Sequence, residues 1–386
     1  MNKTVKVILV LVAIMAVFGL AFTAIGIQFG ARRGVYFNGN AIQISDEDLR
    51  YIKDMDLKSF SRVEMDIHYS DIEFVKSDRY GVDICYYEHM ADPTYSVENG
   101  TLRIYDNPKN SNFGFWGIGF LFNQMTPYIK VYLPDDADFE KVNVKDRNGD
   151  IKVDFLNARQ VNLTCYYGDV NLNDLNSVNV DIVMQNGDSK ISNLNCDTLS
   201  YKNSYGSANL KNIKCTKSLT MSFKNGDLRV DGMSSETISY ENSYGDCIIY
   251  DISSDSFDGL VSNGTIKILN SSLGETRLEN HYGDISISNV STKKLNVVNQ
   301  NGDTELHGDI LGDTIIRSSY GNVDISTSIR ESDCSYNLST LYGDVRVGNK
   351  KYKEEVTNSV SQALNSIKVQ CKNGDIRLTF TDDFSI

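Results

Sequence analysis

The chain lacks the residue patterns on which most metal centres and disulfide frameworks depend. Its 386 residues include four histidines, and their spacing to cysteines and carboxylates matches no metal-binding motif. None of the histidines lies near a serine or cysteine in a recognisable nucleophile setting. The seven cysteines are odd in number and form no disulfide framework. We therefore expect no metal ion and no cofactor.

Basic residues are also in short supply. Lysine and arginine number 38 against 51 aspartates and glutamates, which gives a formal net charge of −13. Such a charge disfavours long-range attraction to nucleic acid or to anionic lipid headgroups. The sequence therefore predicts no nucleic-acid partner.

Glycine, by contrast, is regularly spaced along the last two-thirds of the chain. The recurring glycines are Gly149, Gly168, Gly187, Gly206, Gly226, Gly245, Gly264, Gly283, Gly302, Gly321, Gly343 and Gly374. The gaps between them are almost constant as far as Gly321, and only the last two are longer. A fixed period of about 20 residues is typical of a solenoid, in which each unit covers the apolar face of the next.

Each glycine lies in a turn signature such as Asn186-Gly187-Asp188, in which both flanking residue types favour a tight turn. Apolar residues alternate with polar ones on both sides of the turn, as in Ile266 and Ile268 after Gly264. This period of two indicates strands with one buried face, and no helical period accompanies it. The sequence predicts an all-β, single-stranded parallel β-helix (β-solenoid) of about 19-residue coils around an apolar axis.

A second periodicity overlies the first, because the residue before the glycine alternates between Asn and Tyr through ten units. Three residues before the glycine, the size pattern largely inverts, so that Tyr units carry Cys165 or Asn203 and Asn units carry Met184 or Phe223. The two positions share strand parity, which favours volume compensation at a packed corner. A row of tyrosines that stack on carbohydrate is the functional alternative. The alternation makes the full repeat 38 residues long. We expect this repeat to consist of two 19-residue coils, and a single 38-residue coil is the alternative.

Residues 1–33 are predicted to form an N-terminal membrane anchor. Within them, residues 7–27 are uncharged and nearly all apolar, long enough for a transmembrane α-helix across the hydrocarbon core. Two basic residues flank each side, so charge alone leaves the orientation open. We expect a single-pass protein of the cell membrane with its large C-terminal part outside the cytoplasm, and a cleaved signal peptide is the alternative.

The rest of the chain is expected to form a stalk (34–59), irregular β-coils that act as a cap (60–140) and regular solenoid repeats (141–386) with a charged insertion at 348–358. An aromatic loop at 109–127 interrupts the early coils. Its large apolar residues are Phe113, Phe115, Trp116, Phe120 and Phe122. The loop is predicted either to plug the open end of the solenoid or to dock on a membrane or partner.

Cys196 and Cys215 occupy equivalent places after their glycines and should stack in adjacent coils. We expect small buried thiols, since parallel side chains suit a disulfide poorly. The turn aspartates are expected to cap their own turns, because calcium-binding β-rolls have a nine-residue period. The outward strand positions carry mixed charges without a carboxylate pair, so we predict no enzymatic activity.

These motifs resemble the bacterial putative-adhesin family of domains of unknown function (DUF4097 type). The resemblance covers about residues 60 to 380. It is carried by the repeated Gly-Asp turns, the opening segments 69–74 and 99–104, the strand 129–134 that ends in Leu-Pro, and the closing segment 367–378. It implies a β-solenoid on an envelope protein, with no catalytic residues to carry over. Gram-positive relatives occur in envelope-stress systems.

The sequence therefore favours a non-enzymatic, membrane-anchored solenoid that binds a surface protein or a glycan. A regulatory or scaffolding component of an envelope-stress system is the first alternative. A polysaccharide-active β-helix enzyme is the second. The oligomeric state is left open.

Overall fold

The computed structural model describes residues 12, 15, 17, 19, 35–37, 42–44, 49–88, 90–109 and 126–380. Four positions of the apolar segment 7–27 are within this set, and all four are helical. Over the described ranges, no helix is both long enough and apolar enough to cross a bilayer. The predicted anchor thus lies mostly outside the described residues, as do the five large apolar residues of the aromatic loop.

Strands make up nearly all of the described chain, because apolar and polar residues alternate through it. The early strands are β1 (Val35–Phe37), β2 (Ile42–Ile44), β3 (Leu49–Asp54), β4 (Arg62–Ile67), β5 (Asp71–Ser77), β6 (Gly81–Tyr87), β7 (Thr94–Glu98), β8 (Thr101–Tyr105), β9 (Tyr128–Pro134), β10 (Asp138–Asn148) and β11 (Ile151–Val153). The regular strands are β12 (Leu156–Tyr167), β13 (Val170–Asn186), β14 (Ser189–Tyr205), β15 (Ala208–Asn225), β16 (Leu228–Tyr244), β17 (Cys247–Asn263), β18 (Ile266–Tyr282), β19 (Ile285–Asn301) and β20 (Thr304–Tyr320). The last are β21 (Val323–Thr327), β22 (Cys334–Val347), β23 (Lys350–Asn358), β24 (Asn365–Asn373) and β25 (Ile376–Phe380), with a 3-10 turn at Glu331–Asp333.

The regular strands stack in parallel, and each one forms a whole coil. Val170 of β13 pairs with Ser189 of β14, which in turn pairs with Ala208 of β15. Each pairing joins residues that are separated by one interval between recurring glycines. The coil therefore has about 19 residues, and the 38-residue alternative is wrong. A small bulge absorbs the extra residue where the glycine gap is one longer, between Cys196 and Thr198. The predicted parallel β-solenoid is confirmed.

The apolar positions on both sides of each turn face the axis of the coil. In the coil of Gly187, Ile191 and Leu194 are buried after the turn, and Val180 and Ile182 are buried before it. The same positions repeat from coil to coil, so that each side chain rests on its equivalent in the next layer. Burial of this continuous apolar column stabilises the stack, since a single coil could not cover its own apolar face.

A second corner bends the coils from Gly168 to Gly283 at the sixth position after the glycine, and the sequence analysis did not find it. The non-glycine residues at this corner have φ between 50° and 56°, the left-handed region that Asn and Asp tolerate best. The corner residues are Asp174, Asn193, Asn212, Gly232, Asp251, Asn270 and Asn289. Their amides link successive coils, as where Asn212 Nδ2 donates to Asn193 Oδ1 at 3.0 Å.

Both ends of the stack depart from chain order. At the first end, β4 lies between β10 and β8, and antiparallel strands β6 and β7 pair with the edges of β9 and β8. At the other end, β24 and β25 insert between β20–β21 and β22. Most of the charged segment 348–358 is strand β23, which pairs antiparallel with β22. Antiparallel strands therefore lie against the terminal coils, where open edges would otherwise invite pairing with other chains.

Candidate ligand-binding edge

The turn glycines allow successive coils to approach closely along one edge of the solenoid. Gly206 has φ 132°, and a Cβ there would collide with the carbonyl oxygen of Gly187 in the coil before. The same collision recurs at each recurring glycine, with Ser70 taking the place of a preceding glycine beneath Gly149. Only glycine fits, because the backbone contact excludes a side chain at all of these positions and positive φ values also disfavour one at most of them.

The aspartates after the glycines cap the turn of the next coil. Asp150 Oδ1 accepts the backbone N–H of Asp169, and Asp169 Oδ1 accepts that of Asp188, each at 2.8 Å. The prediction that each aspartate caps its own turn is therefore wrong. These turn carboxylates are Asp71, Asp150, Asp169, Asp188, Asp227, Asp246, Asp284, Asp303 and Asp375. In most coils the second carboxylate oxygen has no partner among the described residues.

The tyrosines before the glycines point into solvent, against the prediction of a packed corner. They form one line, the tyrosine row: Tyr69, Tyr167, Tyr205, Tyr244, Tyr282, Tyr320 and Tyr342. Their exposure runs from 39% to 69%, and their hydroxyls bond to no other described residue. Strand parity predicted that each tyrosine points the same way as the residue two positions before it, and that residue is buried. The chain leaves its regular alternation as it enters the turn, so the parity argument fails there.

The side-chain amides of the asparagines that alternate with the tyrosines bond to backbone carbonyls. Asn263 Nδ2 donates to the carbonyl of Ser243 at 3.1 Å, and Asn301 Nδ2 donates to that of His281 at 3.0 Å. The amide is thus occupied with the preceding coil and does not extend outward as the tyrosine does. Along the edge, a tyrosine ring that projects into solvent therefore alternates with an asparagine amide that is bonded to the backbone. Neighbouring rings are two coils apart.

Hydrogen bonding explains the alternation better than volume compensation does. The buried Asn203 amide donates to the carbonyls of Gly187 and Gly206 at 3.2 and 3.1 Å. One buried donor therefore satisfies two glycine carbonyls, its own and that of the coil before, as buried polar groups require. The coils of Gly187 and Gly226 lie next to such donors, and their equivalent positions carry the apolar residues Met184 and Phe223. The coil of Gly302 departs from this pattern, because Asn299 donates to the Gly302 carbonyl at 3.0 Å.

Asp146 occupies this donor position in the coil of Gly149 and is fully buried. Its Oδ1 accepts the backbone N–H of Asn148 at 3.2 Å, while its Oδ2 has no partner among the described residues. Burial raises the pKa of Asp146 to about 8, and the negative charges of Asp106 and Asp71 add to the rise. A protonated carboxyl can donate a hydrogen bond, so at neutral pH Asp146 resembles the asparagines above it.

The edge combines exposed aromatic rings with carboxylate oxygens that have no partner among the described residues, a combination that suits ligand binding. In the part of the chain that the structure describes, no three His, Cys, Asp or Glu side chains are grouped to hold a metal ion. Sequence reasoning located the glycine turns but missed the outward tyrosines and the second corner. A signal for that corner exists, since Asp, Asn or Gly occupies the sixth position after most of the recurring glycines.

The fold defines a parallel β-helix with a repeated outward edge. The chain belongs to the Toastrack DUF4097 family, whose profile matches residues 60–218 and 214–379. A comparison with curated proteins found no match.

Solved structures similar to this chain come from several bacteria. A putative adhesin from Bacteroides fragilis NCTC 9343 is 15% identical, with 58% of this chain and 98% of that chain covered at a TM-score of 0.31. A putative cell adhesion protein from Clostridium sporogenes ATCC 15579 is 9% identical, with coverages of 86% and 100% and a TM-score of 0.21. A putative lipid binding protein from Parabacteroides distasonis ATCC 8503 is 13% identical, with coverages of 86% and 98% and a TM-score of 0.30.

Proposed function

We propose that this chain is a non-enzymatic, membrane-anchored solenoid that binds a ligand outside the cytoplasm. The observation that carries the proposal is the tyrosine row, which holds exposed rings on a rigid scaffold. Exposed aromatic rings with unpartnered hydroxyls are the side chains that binding surfaces favour. The apolar segment 7–27 supports membrane anchoring, and the aromatic residues of segment 109–127, such as Phe113 and Trp116, are of a type that a membrane interface or a partner favours.

The location is tested by protease treatment of intact bacteria that express the full chain with a C-terminal tag. We expect the tag to be lost while a cytoplasmic marker survives. A matched variant, Val12→Arg with Val17→Arg, should leave the membrane fraction, because two charges in the apolar segment oppose insertion. A protected tag, or a variant that stays in the membrane, would contradict the proposal.

Binding is tested by cross-linking on the same intact cells. The proposal expects cross-links to cell-surface material that depend on the solenoid. The regulatory alternative expects cross-links to neighbouring membrane proteins through the anchor and the aromatic loop. Turnover of a glycan by the purified protein would instead support the enzymatic alternative.

A further inference from the structure

The tyrosine row presents rings at one constant interval along the solenoid. Adjacent coils are about 4.8 Å apart, so rings in alternate coils are separated by about 9.6 Å. The interval continues through the rearranged end of the stack, where Tyr342 and Tyr320 flank Asn373. Seven rings at equal spacing match a ligand that is itself periodic, because a non-repeating ligand would engage one or two rings only.

Ring faces and turn carboxylates together define the ligand chemistry. The face of a tyrosine ring is apolar and slightly negative, so it packs against C–H groups that carry partial positive charge. The neighbouring carboxylates accept hydrogen bonds, and Oδ1 of Asp246 already accepts the backbone N–H of Thr265. Its other oxygen, like those of most turn carboxylates, is left for a donor from outside. A pyranose sugar supplies both groups, since its face carries C–H bonds and its rim carries hydroxyl donors.

Charge and spacing exclude the main competitors. A polyanion, including nucleic acid or an acidic glycan, would be repelled by the turn carboxylates and by the net charge of −13. An extended peptide repeats every two residues, about 6.8 Å, which does not match the rings. A polyproline II helix repeats at about 9.3 Å and does match. However, proline has no N–H, so a proline-rich ligand would desolvate the carboxylates without donating to them.

We propose that the tyrosine row binds an extended, neutral β-1,4-linked glycan that lies along the solenoid axis. Successive sugars in such a chain are turned over, so the same face recurs once per disaccharide, close to the two-coil interval. Alternate sugars stack on the tyrosines, and hydroxyls between them donate to the turn carboxylates. This inference rests on the proposed surface-binding function and names the ligand of that function.

The test uses the full chain in detergent micelles, pelleted with insoluble cellulose or chitin and titrated with their hexasaccharides. Maltohexaose, an α-1,4-linked chain that coils, is the control ligand, and a polyproline peptide represents the competing class. We expect the full chain to bind one or both β-1,4 glycans and neither control. Tyr205→Ser with Tyr244→Ser and Tyr282→Ser should weaken binding at least about tenfold, from the loss of three ring contacts. The control variant Tyr105→Ser, which lies outside the row, should stay within about twofold of the parent.

A phase-shifted variant tests the spacing itself. Tyr244→Asn with Asn263→Tyr keeps the number of exposed rings but moves one ring by a coil. A ligand bound in register should lose affinity, whereas general aromatic adhesion should not. Circular dichroism melts establish that each variant is folded.

Equal binding by the phase-shifted variant, preference for polyproline or maltohexaose, or no binding at all would each overturn the glycan assignment. A different set of outcomes tests the proposed function. If cross-linking on intact cells persists in the triple tyrosine variant, surface binding stands and the row is not its site. If the parent chain gives no cross-links, surface binding itself fails.

Discussion

The side-chain amide of Asn242 donates to the carbonyl oxygen of Gly226, one coil earlier, at 3.0 Å. The same nitrogen donates to the carbonyl of Gly245 in its own coil at 3.3 Å. One buried residue thus closes the turns of two coils. The same arrangement recurs two coils earlier, where Asn203 donates to the carbonyls of Gly187 and Gly206.

Removal of this donor should destabilise the solenoid. Asn242→Ala leaves two buried carbonyls without a partner, which costs on the order of 2 kcal/mol or more of unfolding free energy. The measurement is the urea midpoint followed by circular dichroism. Glu241→Ala, which changes the exposed neighbour, should stay within about 0.5 kcal/mol of the parent. Equal shifts in the two variants would contradict the role assigned to the amide.

Two glycines with positive φ should respond in opposite ways to substitution. Gly245→Ala places a Cβ against the carbonyl of Gly226 and should destabilise the protein by at least about 2 kcal/mol. Gly232 has φ 81°, and a Cβ there would meet nothing closer than Asn212 Oδ1 at 3.4 Å. Gly232→Asn should therefore be neutral or stabilising by about 0.5 kcal/mol, because it restricts the unfolded chain. Thermal melts compare the two, and a more damaging Gly232→Asn would refute the second corner.

Asp146 should make stability depend on pH. The folded carboxyl keeps its proton up to about pH 8, whereas the ordinary pKa of an aspartate is 3.8. Because the folded state binds more protons between these values, stability falls as pH rises from about 4 to about 8 and is level above.

Asp146→Asn should remove this loss, because asparagine does not titrate and already occupies the equivalent position in other coils. The stability gain of the variant over the parent should grow by a few kcal/mol from pH 4 to pH 8, at about 1.4 kcal/mol per pKa unit. Urea titrations at several pH values measure it. Parallel pH profiles for the two proteins would show that Asp146 is ionised in the fold.

The cysteines should be inert in the folded protein. All seven are free and buried, and the Sγ atoms of Cys196 and Cys215 lie 2.9 Å apart in adjacent coils. Burial raises the pKa of Cys165 to about 12, so little thiolate exists at pH 8. Iodoacetamide should label the native thiols only after denaturation, while an added cysteine at the exposed Thr220 position should react at once. Rapid labelling of a native thiol would contradict the buried core.

The repeating part of the fold could be predicted from the sequence because its cause is local. Each coil repeats the same glycine turn and the same alternation of apolar and polar residues. The burial of residues such as Val180 and Ile182 can therefore be predicted from the sequence. The stacking of Cys196 on Cys215 follows from the same count. Where the repeat is regular, residues that are one repeat apart in the sequence lie in adjacent coils.

The remaining features depend on contacts between coils or on interruptions of the repeat. Tyr205 and Asn203 share strand parity, yet the approach to the turn sends one outward and keeps the other inside. The carboxylate of Asp150 caps the turn of the following coil, which a single turn motif does not reveal. The insertion of β24 and β25 before β22 reverses chain order, and no local pattern encodes it.

Tyrosine nitration mapped by mass spectrometry tests the outward tyrosine row most directly. Tetranitromethane should modify Tyr205, Tyr244 and Tyr282 in the folded protein, since each is more than half exposed. Tyr201 and Tyr240, which are almost fully buried in the same coils, should react only after unfolding. Protection of the row, or reaction at Tyr201 and Tyr240 as fast as at the row, would show that the edge is packed and cannot bind a ligand.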